Sequence, residues 1–310
     1  MEFMHKPVML EEVINGLNIK KDGIYVDCTM GGGGHSSELL KHLSPKGKLI
    51  GFDRDIDAVN VCKEKFKNSK NVIIIHSNYK DAPSILKENG IDKIDGVMID
   101  LGVSSYQIDN GDRGFSFLHD GPLDMRMDKE QELDAYYVVN FYKKEDLLRI
   151  LYQYGEEDNA RKIVENICKE REKQPIKTTF QLKEIIENSF SKKIIYGKGG
   201  VSKKTFQAIR IEVNKELDDL DKFLKEIIMM LNKNGRICVL TFHSLEDRIV
   251  KNVFKDASTD CICPPKTPVC ICGHKKIGQL INKKPIQAGE EELKENSRSS
   301  SAKLRILEKI

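Results

Sequence analysis

Residues 24–36 read Ile24-Tyr25-Val26-Asp27-Cys28-Thr29-Met30-Gly31-Gly32-Gly33-Gly34-His35-Ser36. The apolar run 24–28 reads as a buried strand, the four glycines as a turn, and a helix is expected from about Ser36. Glycines at a strand-to-helix turn let the backbone approach a ligand closely. The same rhythm continues downstream. Residues 48–53 are a second strand with a helix near 55–67. Residues 72–75 are a third with a helix near 79–88, and 94–101 are a fourth. Continuous apolar strands separated by helices predict a parallel sheet covered on both faces, the doubly wound α/β class.

The rhythm breaks at 102–134, a stretch rich in Gly, Asp and Ser. Residues 145–187 read as several helices, and one longer amphipathic stretch runs from about 202 to 231. Strand character returns at 236–242, followed by a helix near 245–256 and a last strand at 302–307. The economical organisation is one α/β domain in two pieces, 1–107 and 206–310, around a mostly helical second domain at 108–205. A chain of 310 residues suits that arrangement.

Hydrophobic residues make up 39% and charged residues 32%; the apolar ones are grouped into runs, which excludes wholesale disorder. No stretch approaches the ~20 apolar residues of a membrane helix, and the first residues lack a signal-peptide core, so a cytoplasmic protein without membrane partners is expected. The formal net charge of +3 argues only against indiscriminate polyanion binding, because it averages unlike segments. Residues 188–211 carry six basic residues (Lys192, Lys193, Lys198, Lys203, Lys204, Arg210) and no acids; residues 266–310 carry ten basic and five acidic. These are candidate phosphate-binding stretches, with a solvated lysine-rich face as the ordinary alternative.

The glycine run fails the dinucleotide fingerprint G-x-G-x-x-G: counted from Gly31 the sixth residue is Ser36, and from Gly32 it is Ser37. A nicotinamide oxidoreductase is thereby disfavoured. A compact loop after Asp27 suits the amino-acid end and ribose of S-adenosylmethionine (SAM). Asp53 ends the second strand, where a carboxylate can accept ribose hydroxyls; alternatively Asp53, or Asp55, caps the next helix. Asp27, Asp53 and Asp100 all end strands on one sheet edge, where open α/β sheets bind ligands.

Several segments together resemble the ribosomal RNA small subunit methyltransferase H family over nearly the whole chain. They are 29–36; Asp100-Leu101-Gly102-Val103-Ser104-Ser105; Arg113-Gly114-Phe115-Ser116-Phe117; 120–127; Thr205-Phe206-Gln207-Ala208-Ile209-Arg210-Ile211; and Phe242-His243-Ser244-Leu245-Glu246-Asp247-Arg248. The resemblance implies a Rossmann-like, SAM-dependent methyltransferase that methylates N4 of a cytidine in the decoding region of 16S rRNA. It implies SAM contacts at Gly33, Gly34, His35, Asp53, Tyr79, Asp100 and Gln107, and 16S rRNA or the assembled small subunit as partner. One departure is Ser297 after Asn296, where the family usually has proline. An assembly factor that keeps the fold without catalysis is the competing function. Oligomeric state is open, a homodimer included.

An exocyclic amine is a poor nucleophile, and an acceptor beside it would localise its lone pair and take a proton. Asp100 and Ser104 are the candidates, although Asp100 could equally contact only the cofactor. Phe115 and Phe117 could stack on or cover the base, or fill the seam between the domains; Arg113 and Arg126 could meet phosphates or pair with the eight acids of 109–134. His243 could face the substrate or be packed. Ser244 and the acids after it read as a helix-capping box, not a hydrolase triad. Cys261, Cys263, Cys270 and Cys272, with His274 nearby, form C-x-C-x6-C-x-C, expected to be a structural zinc site; two disulfides are the alternative, disfavoured in a reducing compartment.

Overall fold

The computed structural model describes residues 7–191, 200–264 and 269–310. The chain divides into two compact units, Met1–Gly102 with Asp219–Ile310, and Val103–Asp218.

The first unit is built on seven strands: β1 (Ile24–Asp27), β2 (Lys48–Asp53), β3 (Val72–His76), β4 (Ile94–Asp100), β5 (Leu231–Thr241), β6 (Gly278–Leu280) and β7 (Lys303–Lys309). They lie in the order β3-β2-β1-β4-β5-β7-β6. β1 to β5 pair in parallel, whereas β7 is antiparallel to both β5 and β6. The sheet is therefore mixed, not wholly parallel as the strand–helix rhythm predicts. Antiparallel pairing needs no crossover helix, so the rhythm that reveals β1–β4 has no counterpart at β6 and β7. The order reverses between β1 and β4. Such a reversal opens a crevice beyond the carboxyl ends of those strands.

Among the described residues, seven helices flank this sheet: α1 (Leu10–Leu17), α2 (Gly34–His42), α3 (Ile56–Lys65), α4 (Ala82–Glu88), α5 (Leu220–Met230), α6 (Ser244–Ala257) and α7 (Glu290–Glu295). On one face Leu86, Phe223, Leu224, Val250 and Phe254 are buried against Val97, Ile237 and Val239. On the other, Val13, Leu17 and Leu39 pack on Leu49, Met98 and Ile306. Both faces are covered, which is why the strands are apolar throughout instead of alternating.

The second unit is helical, with helices Ala135–Phe141, Lys144–Gln153, Ala160–Lys173, Thr179–Glu187 and Lys203–Asn214 among its described residues. Leu147, Ile150, Ile163, Leu182 and Ile209 form its core. It is wider than the expected 108–205. Phe206, Ala208, Ile209 and Val213 are buried in the same core, so a boundary at residue 206 would cut one helix in two. The single amphipathic stretch expected at 202–231 is two helices, because Lys215 and Asp219 adopt left-handed φ of 49° and 53° and interrupt it.

Glycine matters at a close approach between β1 and β4. Tyr25 stands opposite Gly96, and its ring covers the place where a side chain on Gly96 would begin: a Cβ there would lie 2.6 Å from Tyr25 Cε1. The Tyr25 hydroxyl accepts the Lys20 amide at 2.6 Å, which fixes the ring. Gly96→Val is expected to cost about 1–3 kcal/mol through overpacking. In denaturant unfolding, combining it with Tyr25→Ala should cost less than the two single changes together, by about 1 kcal/mol; strict additivity would contradict the packing account.

Candidate active site at the carboxyl edge of the sheet

Asp27, the last residue of β1, is buried and holds the glycine loop. Its Oδ2 accepts the Ser36 hydroxyl at 2.6 Å and its Oδ1 accepts the Thr29 amide at 3.1 Å. Thr29 in turn accepts the backbone amide of Asp100 through Oγ1 at 2.7 Å, which joins β1's loop to the end of β4. The loop is clamped from its other side by α3: Lys65 Nζ donates to the carbonyls of Gly32 and Gly33 at 3.0 and 3.1 Å, and Cys62 Sγ to that of Gly31 at 3.3 Å. Gly31 itself has φ +50°, and open space lies where a side chain would project. That combination makes a fixed cradle with exposed backbone.

Asp53 closes the cradle. Its Oδ2 accepts the Gly31 amide at 2.7 Å and its Oδ1 that of Asp55 at 2.9 Å. Asp53 is not the cap of α3, because Asp55 fills that role by accepting from the Asp57 amide. Each Asp53 oxygen retains a second lone pair for a ligand hydroxyl. Asp100, at the end of β4, receives no hydrogen bond at its carboxylate from any described residue. A small cavity beside it is lined by Asp27, His35, Asp100, Val13, Met98 and Leu240.

The electrostatics are unusual for acids. Burial, with repulsion from Asp53, raises Asp27 to about 6. Burial and the neighbouring Asp55 raise Asp53 to about 6, against the pull of its two backbone donors. Burial, then repulsion from Asp27 and Glu246, raises Asp100 to about 7. Three carboxylates short of cations invite a cationic or hydroxyl-rich ligand. The N-terminus of the nine-residue α2, opening at Gly34, adds a positive dipole end suited to a carboxylate. SAM carries all of these: a sulfonium, an ammonium, a carboxylate and a ribose diol. The residues present therefore fit it.

The sequence-expected residues separate into groups. Gly33, Gly34, His35, Asp53 and Asp100 are gathered at this edge. His35 is turned to the protein, with Nε2 3.0 Å from the Val8 carbonyl; burial lowers its pKa to about 4 and keeps the ring neutral. Tyr79 is buried in the core of the first unit, its ring edge-on to Phe223 at 4.9 Å. His243 is packed as the N-cap of α6: Nδ1 accepts the Glu246 amide at 3.4 Å, and Glu246 accepts the amides of Phe242 and His243. The capping box thus begins at His243, one residue before the expected Ser244, because the backbone is still extended at His243. Thr29, Ser36, Lys65 and the buried Glu246 were not expected; only the alternation of small polar residues with glycine in 29–36 hinted at the first two.

In the helical unit, Ser104 and Gln107 form a reciprocal capping box, the Ser104 hydroxyl accepting the Gln107 amide at 3.2 Å and Gln107 Oε1 the Ser104 amide at 3.0 Å. Phe115 is buried in the core and Phe117 packs edge-on to Phe206 at 5.5 Å. The arginines are occupied internally. Arg113 is buried and donates to the carbonyls of Arg126 and Met127. Arg126 forks onto Asp124 at 3.0 and 2.7 Å, and Arg210 onto Glu216 at 2.9 Å twice. These guanidiniums brace loops, Arg126 and Arg210 through carboxylates and Arg113 through backbone carbonyls. Lys204 reaches the Glu156 carbonyl at 2.7 Å, and Lys203 is exposed. Lys192, Lys193 and Lys198 lie outside the described residues.

The edge and the parallel core define the class of a Rossmann-like methyltransferase. Residues 2–310 match the family profile described as the MraW methylase family. The chain is 54% identical over 310 residues to the ribosomal RNA small subunit methyltransferase H of Clostridium botulinum (strain 657 / Type Ba4), covering 100% of both. It is 51% identical over 312 residues to the protein of that name in Finegoldia magna, again covering 100% of both. An rRNA methylase structure from Streptococcus thermophilus aligns with 100% of this chain and 99% of that one, at 11% identity and a TM-score of 0.41. The chain belongs to the MraW methylase family.

The raised carboxylates have a signed consequence. A carboxyl whose folded pKa lies above its unfolded value contributes stability at low pH that is lost as pH rises through the folded value. For Asp100 the loss falls between about pH 4 and about pH 7. Asp100→Asn removes the ionisation, so in ligand-free unfolding the variant should gain on the wild type between about pH 4 and about pH 7. The opposite slope would show that Asp100 is stabilised as an anion.

Proposed function

We propose that this chain transfers the methyl group of SAM to N4 of a cytidine in the decoding region of small-subunit ribosomal RNA. When bound, SAM supplies an electrophilic methyl on a sulfonium. Asp53, with the cradle at Gly31–Gly34, would hold the ribose and amino-acid ends. Asp27 acts through Thr29 and Ser36 and keeps the cradle shaped. The rRNA substrate is supported by relatives of that name at 54% identity along the whole chain; the N4 position and the decoding region rest on the motif resemblance. Such work belongs in the cytoplasm, where ribosomes assemble.

The observation that carries the reading is Asp100: a strand-end carboxylate with no donor among the described residues and a pKa of about 7. Its chemistry matches a cytosine amine, since carboxylates accept from C N4. A hydrogen bond from N4 to Asp100 orients the lone pair, and a pKa near neutrality lets the same carboxylate take the proton released as nitrogen bonds to carbon. Ser104 remains a second candidate for positioning the amine, although its hydroxyl already accepts the Gln107 amide. Lys203 and Lys204 are candidate phosphate contacts.

Labelled SAM is incubated with small subunits or their RNA, and the nucleosides are resolved by mass. N4-methylcytidine is expected; label on another atom, or binding without transfer, would refute the reading, and the latter would favour an assembly factor. Asp100→Asn should lower kcat by about 10²–10⁴. Asp53→Ala should weaken SAM binding by roughly tenfold or more, with transfer recovered at high SAM. An unchanged affinity would contradict the ribose role.

A further inference from the structure

Among the described residues between α6 and β6, no side chain is buried. The apolar residues beside the cysteines face outward: Ile262 is 51% exposed, Val269 73% and Ile271 84%. Yet four sulfurs converge there. The Sγ atoms of Cys261, Cys263, Cys270 and Cys272 all lie within 4.8 Å of one another, and all four cysteines are free thiols. Cys270 and Cys272 are 3.5 Å apart, and Cys272 and Cys261 3.8 Å. In a tetrahedral zinc tetrathiolate, Zn–S bonds of about 2.3 Å place the sulfurs about 3.8 Å apart. A disulfide would bring its pair to about 2.0 Å. His274 is not among the converging donors; its Nε2 lies 2.8 Å from the Asp256 carbonyl at the end of α6.

We propose that Cys261, Cys263, Cys270 and Cys272 bind one zinc ion as a closed tetrathiolate, and that this ion replaces the missing apolar core of the segment. Binding displaces the thiol protons and forms four S–Zn bonds, which leaves no open position for catalysis. The site is independent of the methyl-transfer residues. Two Cys-x-Cys arms meeting at one ion account for the convergence of four sulfurs in a segment whose isoleucines stay exposed.

The full chain, purified under reducing conditions, should contain one zinc per molecule by elemental analysis. Stripped with a mercurial and chelator and refilled with Co²⁺, it should give a thiolate-to-cobalt charge-transfer band and the intense visible absorption of tetrahedral cobalt. Stripping should open residues 258–277 to protease while the rest stays resistant. The Cys261→Ser, Cys270→Ser double variant should hold less than a tenth of the metal. Metal-free protein with four titratable thiols and no tetrahedral cobalt spectrum would overturn the proposal, as would a mass showing two disulfides. The cobalt titration uses the wild type, so misfolding of the variant leaves the test intact.

Discussion

The arrangement depends on one buried carboxylate. Asp27 terminates β1 at the point where strand order reverses, and it carries the Ser36 hydroxyl and the Thr29 amide on its two oxygens. Through Ser36 it fixes the first turn of α2; through Thr29, which also receives the Asp100 amide, it fixes the end of β4. A strand, a loop, a helix and a neighbouring strand thus meet on one side chain. Burying a carboxyl is costly, and these bonds offset that only in part, which is why Asp27 remains elevated near 6. The same strain spreads outward, because Asp27 repels both Asp53 and Asp100. A ligand bearing positive charge relieves it. In this sense the energy that raises the pKa values is also the selectivity of the site.

Much of this was legible in the sequence, for a physical reason. β1, β2 and β4 are largely buried, so each is a short apolar run, and each ends in an aspartate at the sheet edge. Asp27, Asp53 and Asp100 announce themselves by that break in pattern. The parts that escaped are those whose reasons are not periodic. β6 is three residues long and β7 runs against the other strands, so neither completes a strand–helix unit. The break between Lys203–Asn214 and α5 depends on left-handed conformations at Lys215 and Asp219, residue types that ordinarily continue a helix. α1 is short and had no strand before it to suggest a unit. Identity of a residue type also says little about its partner: Tyr79 and Gln107 share motif status with Asp53, yet one is packed on Phe223 and the other caps its own helix.

The charge pattern illustrates the same limit. Counting basic residues treats arginine and lysine alike, whereas their side chains are used differently here. Arg113, Arg126, Arg210, Arg236 and Arg305 all donate to acceptors within the protein, several in forked pairs with carboxylates. The planar guanidinium suits such bracing. Even the basic stretch 266–310 is partly neutralised, since Lys303 and Arg305 both approach Asp247. On the proposed reading, phosphate affinity is then left to exposed lysines such as Lys203, which act as point charges and carry no base information. Discrimination of the base must come from elsewhere. Ionised Asp100 is where it can arise, because an amino group is what distinguishes cytosine from uracil there, and a carboxylate, acceptor-only when ionised, rewards that donor and rejects a carbonyl. Affinity and specificity would thus reside in different kinds of charge: mobile cations for the backbone, and a buried, reluctant anion for the base.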